Sequence, residues 1–351
     1  MRTVFLFLAC ILLFIPAPSY SENTDLIQET QEHPLLDVAS AILFDLNTNT
    51  ILYEQNADTP IQPASLTKIM SIYLALDTIA AGNARFDSPV IVSQKAANEG
   101  GSRMGIRAGE EIRLGELLLG MAVSSGNDAS LAVAEFIGGT NESFIHAMNE
   151  KARKLGMTNT HFGTPNGLPV KGQYTTARDM LTLARNYLRR YPWALSMHNT
   201  RFLKHQEYVS WNRNPLLAQY PGADGLKTGW VRASGFNMIF TAERNYHRLL
   251  AVILGAPDAM RRAVEACRML DAGFLVCLQK SPSVAVALTT LPFDSYKVDL
   301  HKSAHEAVER FGYVSSGFRK KRAIRNHMQA QVQQKRSGRQ KMTKRRSVKR
   351  R

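Results

Sequence analysis

Apolar positions cluster near both ends of the chain in short runs with strand character, and recur at helical spacing between them. Ala41-Ile42-Leu43-Phe44 and Ile51-Leu52-Tyr53 flank Asn47-Thr48-Asn49-Thr50, which predicts a β-hairpin within Val38 to Tyr53. From Ser65 to Ala80, Ile69, Ile72, Tyr73 and Leu76 fall on one helix face. Leu114 to Ile137 reads as helix broken at Ser124-Ser125-Gly126-Asn127. Asn141 to Leu155 reads as a helix capped by Thr140 or Asn141 and stopped by Gly156, and Thr175 to Tyr191 as another ended by Pro192. Gly235 to Ala242 and Arg248 to Ala256 are apolar runs joined by Glu243 to His247, a second hairpin in which Met238 and Phe240 are core positions. Asp258 caps a helix running towards Ala272 and ending at Gly273. Val284 to Leu291 reads as one strand, and Phe293 to Gly317 has little periodicity.

The order is strands, helices, strands and a closing helix. It predicts an α+β fold: an antiparallel sheet made from both ends of the chain and flanked by helices, with a helical insert subdomain between. No internal repeat is present.

The ends change this picture. Arg2, the apolar stretch Val4 to Ile15 and the small residues Ser19 and Ser21 form a secretory signal peptide over 1–21, cleaved before Glu22; an uncleaved anchor is the alternative, against which the apolar stretch is short. Residues 22–36 read as a linker, 37–278 as the catalytic domain, 279–318 as a short C-terminal extension and 319–351 as a basic tail. The net charge is +15, yet 319–351 carries 15 Lys or Arg and no Asp or Glu, leaving 29 basic and 29 acidic side chains in residues 1–318. The body is electrically balanced and the tail is a separate object, too polar to form a core. Export excludes nucleic acid as the tail's partner and leaves anionic lipid or wall polymer. Beyond the signal peptide only Cys267 and Cys277 remain. A disulfide scaffold is excluded, and two buried free thiols are expected rather than one bridge.

The candidate chemistry lies in three ordered motifs: Ser65-Leu66-Thr67-Lys68, Ser125-Gly126-Asn127 and Lys227-Thr228-Gly229. Each falls in a fitting context, respectively a helix start, a helix break and the entry to the second strand region. Residues at i and i+3 share a helix face, so Lys68 stands beside Ser65. A serine hydroxyl is a poor nucleophile until a base takes its proton. A buried Lys68 near a second cation, Lys227, has the lowered basicity such a base needs. In the first turn, the helix dipole and free N–H groups favour negative charge on Ser65. His161, His198 and His205 are not at metal-ligand spacing, and no metal or cofactor is expected.

With these motifs the chain resembles the low-molecular-weight penicillin-binding proteins, serine-type D-alanyl-D-alanine carboxypeptidases with the penicillin-binding/β-lactamase-like transpeptidase fold. The resemblance extends over about Ala39 to Leu275 and includes Phe162-Gly163-Thr164-Pro165-Asn166-Gly167-Leu168, Asn212-Arg213-Asn214 and Asp224-Gly225-Leu226-Lys227-Thr228-Gly229. It implies removal of the terminal D-alanine from peptidoglycan stem pentapeptides, inhibition by β-lactams, and a periplasmic or cell-envelope location. It implies Ser65 as the acylated nucleophile, Lys68 as its proton acceptor and Ser125 as the relay to the leaving D-alanine. Asn127 would hold the substrate peptide, and Lys227 and Thr228 its carboxylate with help from Arg213. The strand carrying Gly229 would bring the Trp230 N–H, with that of Ser65, to the oxyanion.

Two features depart from the family pattern. Trp230 stands where many relatives have His or Tyr, which leaves acylation intact and opens the question of deacylation. A short extension and a basic tail stand where many relatives have a β-rich domain and an amphipathic anchor. D,D-endopeptidase cleavage of crosslinks is therefore an alternative activity. A β-lactamase fits less well, since no Glu-x-x-x-Asn follows Ser125-Gly126-Asn127. A non-catalytic envelope-binding protein is the reading from another class, opposed by the intact motifs.

Overall fold

The computed structural model describes residues 35–311. The expected signal peptide, most of the linker and the basic tail lie outside the described residues.

Strands β1 (Ser40–Asp45) and β2 (Thr50–Gln55) form the first hairpin. A single 3-10 turn, Ala64–Thr67, leads into α1 (Lys68–Ala80). The insert continues with β3 (Pro89–Ile91), α2 (Gln94–Ala97), β4 (Glu111–Arg113), α3 (Leu114–Val123), α4 (Asn127–Gly138), α5 (Asn141–Leu155), α6 (Ala177–Arg190) and α7 (Leu195–Asn199). The short hairpin of β5 (Phe202–His205) and β6 (Tyr208–Trp211) precedes β7 (Ala223–Val231), β8 (Gly235–Arg244) and β9 (His247–Ala256). Helices α8 (Ala259–Cys277), α9 (Val284–Thr289) and α10 (Lys302–Phe311) close the described chain.

The five-stranded sheet has the order β2-β1-β9-β8-β7 and is antiparallel throughout. The N-terminal strand β1 pairs with β9, Ile42 opposite Val252, so both ends of the chain build one sheet around the insert, as the element order predicts. Central strand β9 is buried on both faces. Leu250, Val252 and Leu254 enter the core shared with α1 and the other insert helices, and Leu249, Ala251 and Ile253 enter the core under α8. This period of two follows from side chains alternating across a strand. The β8–β9 turn places Asn245 and Tyr246 at φ 49° and 64°, the left-handed pair that a two-residue hairpin of matching twist needs.

Several helix ends follow the capping logic of the sequence. The Thr140, Thr176 and Asp258 side chains accept from the N–H groups of Ser143, Asp179 and Arg261, and Gly156 stops α5 at φ 81°. Three expectations fail. Helix α8 does not end at Gly273 but runs to Cys277. A Cβ at Gly273 would stand 2.7 Å from Leu43 Cδ2 and 2.8 Å from Leu249 Cδ1, so this glycine lets the helix approach the sheet and is no stop signal. Val284 to Leu291 holds helix α9 (Val284–Thr289), not a strand: Ser283 caps it by accepting from Val286 N–H, and Val284, Ala287 and Leu288 form its buried stripe. Cys267 is buried, but Cys277 is only half-buried; both are free thiols.

Candidate active site

Residue Ser65 lies in the 3-10 turn ahead of α1, not in the helix itself. Ala64 holds φ 48°, a left-handed conformation unusual for a side chain with Cβ. The turn is gripped from two sides. Gly167, at φ 82°, lies so close that a Cβ there would stand 1.8 Å from the Ala64 carbonyl oxygen; a Cβ at Gly229 would stand 3.0 Å from Ser65 N. No side chain fits at Gly167, and Gly229 brings β7, the edge strand of the sheet, against the serine.

One turn on, Lys68 is fully buried. Its Nζ lies 3.1 Å from Ser65 Oγ, 2.7 Å from Asn127 Oδ1 and 2.7 Å from the carbonyl oxygen of Asn166. Asn127 and Asn166 can only accept through these oxygens. A neutral amine that donates its two N–H groups to them keeps its lone pair for the Ser65 hydroxyl. Burial holds the Lys68 amine down to about 7, against the opposing pull of the Asp128 and Glu99 carboxylates. The cluster thus has an amine that can be neutral near pH 7, aimed at a serine.

The helix break brings the second motif to the same place. Ser125 is buried in the left-handed region at φ 59°. The Asn127 amide is fixed in orientation, its oxygen on Lys68 and its Nδ2 donating to the Gly100 carbonyl at 2.7 Å. Asp128 carboxylate oxygens accept from Met104 and Gly105 N–H at 2.9 Å, tying the preceding loop to the start of α4.

On β7, Lys227 and Thr228 are buried while Trp230 is 56% exposed beside Phe236. Lys227 is held well below the ordinary lysine range, by burial first and then by the positive charges of Lys68, Arg213 and Arg262. Its Nζ donates to the Thr228 carbonyl at 2.8 Å. Arg213 is exposed, its guanidinium 5.0 Å from the Trp211 ring centre. Asn212 pins the loop beneath it by donating to the carbonyls of His198 and Thr200.

The motif reading did not single out four neighbours of this cluster. Asn166 and Gly167 supply an acceptor for Lys68 and room for Ala64. Glu99 accepts from Asn166 Nδ2 at 3.0 Å. Arg262 is a buried cation on α8, lowered to about 10 by burial. His198 and His205 are core polar residues: His198 bonds to Tyr187 and the Leu226 carbonyl, His205 to Glu116.

The chain has known relatives. The sequence profile of the Peptidase S11 family, D-alanyl-D-alanine carboxypeptidase, matches residues 27–258. The chain is 36% identical over 247 residues to the D-alanyl-D-alanine carboxypeptidase DacF of Bacillus subtilis; the match covers 68% of this chain and 62% of that protein's length. Penicillin binding protein 5 from Haemophilus influenzae is a structural neighbour at TM-score 0.67 and 31% identity, covering 69% of this chain and 72% of the other. Penicillin-Binding Protein D2 from Listeria monocytogenes, solved in a cefotaxime-bound form, matches at TM-score 0.62 and 27% identity, over 68% and 98%. The α+β fold is that of these proteins.

Proposed function

The chain belongs to the D-alanyl-D-alanine carboxypeptidase family of peptidases, and on that premise we propose that it is a serine D,D-carboxypeptidase acting on peptidoglycan stem pentapeptides. The observation that carries this reading is the Lys68 amine, brought to about 7 and placed 3.1 Å from Ser65 Oγ.

Ser65 Oγ attacks the carbonyl of the penultimate D-alanine while its proton passes to neutral Lys68. The N–H groups of Ser65 and Trp230 receive the oxyanion. The proton moves on through Ser125 to the departing nitrogen as the peptide bond breaks, releasing D-alanine. Water then cleaves the acyl ester and restores Ser65. Asn127 and the outer edge of β7 hold the substrate backbone, and Lys227, Thr228 and Arg213 its terminal carboxylate. A β-lactam amide meets the same serine and inhibits by acylating it, in keeping with the cefotaxime-bound relative.

Incubation of the purified protein with a stem pentapeptide and with a crosslinked stem dimer tests the reading. Free D-alanine from the pentapeptide is expected. Cleavage of the dimer alone would replace carboxypeptidase by endopeptidase action, and product from neither would overturn the catalytic reading.

The protein is exported to the periplasm or cell envelope by the signal peptide at 1–21, and the basic tail at 319–351 holds it to anionic lipid or wall polymer. The confinement of the chain's whole charge excess to that tail supports this. Among the described residues no helix is long and apolar enough to cross a membrane.

A further inference from the structure

At the end of the sheet that carries the β1–β2 turn, two to three strands away from β7 in the sheet order, three metal-ligating side chains converge. Asp45 ends β1, His247 opens β9 and Cys277 is the last residue of α8. One ligand atom from each lies within 4.8 Å of the other two. These residues are far apart in sequence and meet only because β1 pairs with β9 and α8 returns across them.

One pair stands at the spacing that two ligands of one ion would have. Cys277 Sγ is 3.7 Å from Asp45 Oδ2. In a tetrahedral zinc site with Zn–S of about 2.3 Å and Zn–O of about 2.1 Å, these atoms stand roughly 3.6 Å apart. The outer partners are in place as well. Asp45 Oδ1 accepts from the N–H groups of Asn47 and Thr48 at 2.8 and 3.4 Å, which orients the carboxylate and leaves Oδ2 turned to the thiol. Asn47 in turn donates to the Tyr246 carbonyl and accepts from Arg248 N–H, clamping both residues that flank His247. Among the described residues the buried Nδ1 atom of His247 has no hydrogen-bond partner, a state that buried polar atoms rarely keep. Asp45 is buried, while His247 and Cys277 are half-buried, so solvent can reach the fourth corner. One sulfur, one imidazole nitrogen and one carboxylate oxygen suit a borderline-soft divalent ion better than calcium or magnesium.

We propose that Asp45, His247 and Cys277 form a zinc site, with water as fourth ligand, that ties the end of α8 to the paired ends of β1 and β9. On binding, the Cys277 thiol gives up its proton to solvent as its sulfur bonds the metal. The site is structural: it lies away from Ser65 and takes no part in the acyl transfer.

Full-length protein, stripped with a chelator and kept under a phosphine reductant, is titrated with Zn²⁺ by calorimetry and with Co²⁺ by absorption spectroscopy. One zinc per chain is expected, together with a thiolate-to-cobalt charge-transfer band and the visible bands of tetrahedral cobalt. Cys277→Ser should abolish the charge-transfer band, and His247→Ala should weaken zinc binding by more than about 100-fold, beyond what loss of an outer partner does. Cooperative thermal unfolding of the metal-free variants shows that they are folded. The proposal is overturned if the wild type binds no stoichiometric zinc, or if both variants bind it as tightly as the wild type does.

Discussion

Asn166 turns its backbone carbonyl to within 2.7 Å of the Lys68 amine while its side chain donates to Glu99. One residue thus links the proposed base to a carboxylate that raises its proton affinity. The basicity of Lys68 is set by a balance between burial, which dominates, and two acidic neighbours.

That balance predicts a pH profile. Acylation needs the neutral amine, so its rate should fall as pH drops through about 7 and level off above it. In Glu99→Gln a charge that favours the protonated amine is gone, and the acid limb should move to lower pH. Stopped-flow acylation by a chromogenic cephalosporin reads both. A limb that stays in place in Glu99→Gln would remove Glu99 from the balance.

Penicillin should add its mass to Ser65 alone. Peptide mass spectrometry after a short incubation should locate one adduct there, and Ser65→Ala should carry none. An adduct that survives this substitution places the nucleophile elsewhere.

Arg at position 68 should be a poor substitute. A guanidinium keeps the charge but remains protonated, and loss of a general base lowers rates by about 10² to 10⁴. Lys68→Arg should therefore acylate at least about 100-fold more slowly. Near-normal acylation would assign the proton to another group.

Carboxylate reading by Lys227 and Arg213 predicts selectivity at the leaving end. A peptide ending in D-alanine amide should be turned over more slowly than the free acid, and Arg213→Ala should narrow the difference. Equal rates for acid and amide in the wild type would favour a crosslink-cleaving role.

The tail at 319–351 should act as an electrostatic tether. Full-length protein should sediment with anionic vesicles at low salt, and 1 M salt, where the Debye length is roughly 3 Å, should release it. Deleting 319–351 should abolish the sedimentation and leave cleavage of a soluble peptide unchanged. Retention of the truncated protein would sink the tether.

What was legible in the sequence depended on how local its cause was. The two hairpins and the helix caps at Thr140 and Asp258 were readable because periodicity and capping act within a few residues. Gly273 misled because its reason is the approach of α8 to Leu43 and Leu249, which no local signal carries. In Val284 to Leu291 the β-branched Val284, Val286, Thr289 and Thr290 favour a strand, but Val284, Ala287 and Leu288 stand at helical spacing behind a Ser cap. Helix α10 was faint because it buries only Ser303, Ala304 and Ala307, small residues that give little contrast. In the site, the i, i+3 pair Ser65 and Lys68 announced itself, whereas Glu99, Asn166 and Arg262 join it only through tertiary contact.

The pairing of β1 with β9 also bears on the order of assembly. Arg248 N–H meets the Asn47 side chain across 201 positions of chain. Such contacts come late, because loop closure must be met before they form, and they slow folding. During synthesis the β1 edge of the β1–β2 hairpin stays open until the whole insert and β9 have followed. Ser65 belongs to the early segment, yet Gly229 of β7 must arrive before its turn is held. The proposed acylation of Ser65 should therefore become possible only late in folding, and a fluorescent penicillin added during refolding would then report closure of the sheet.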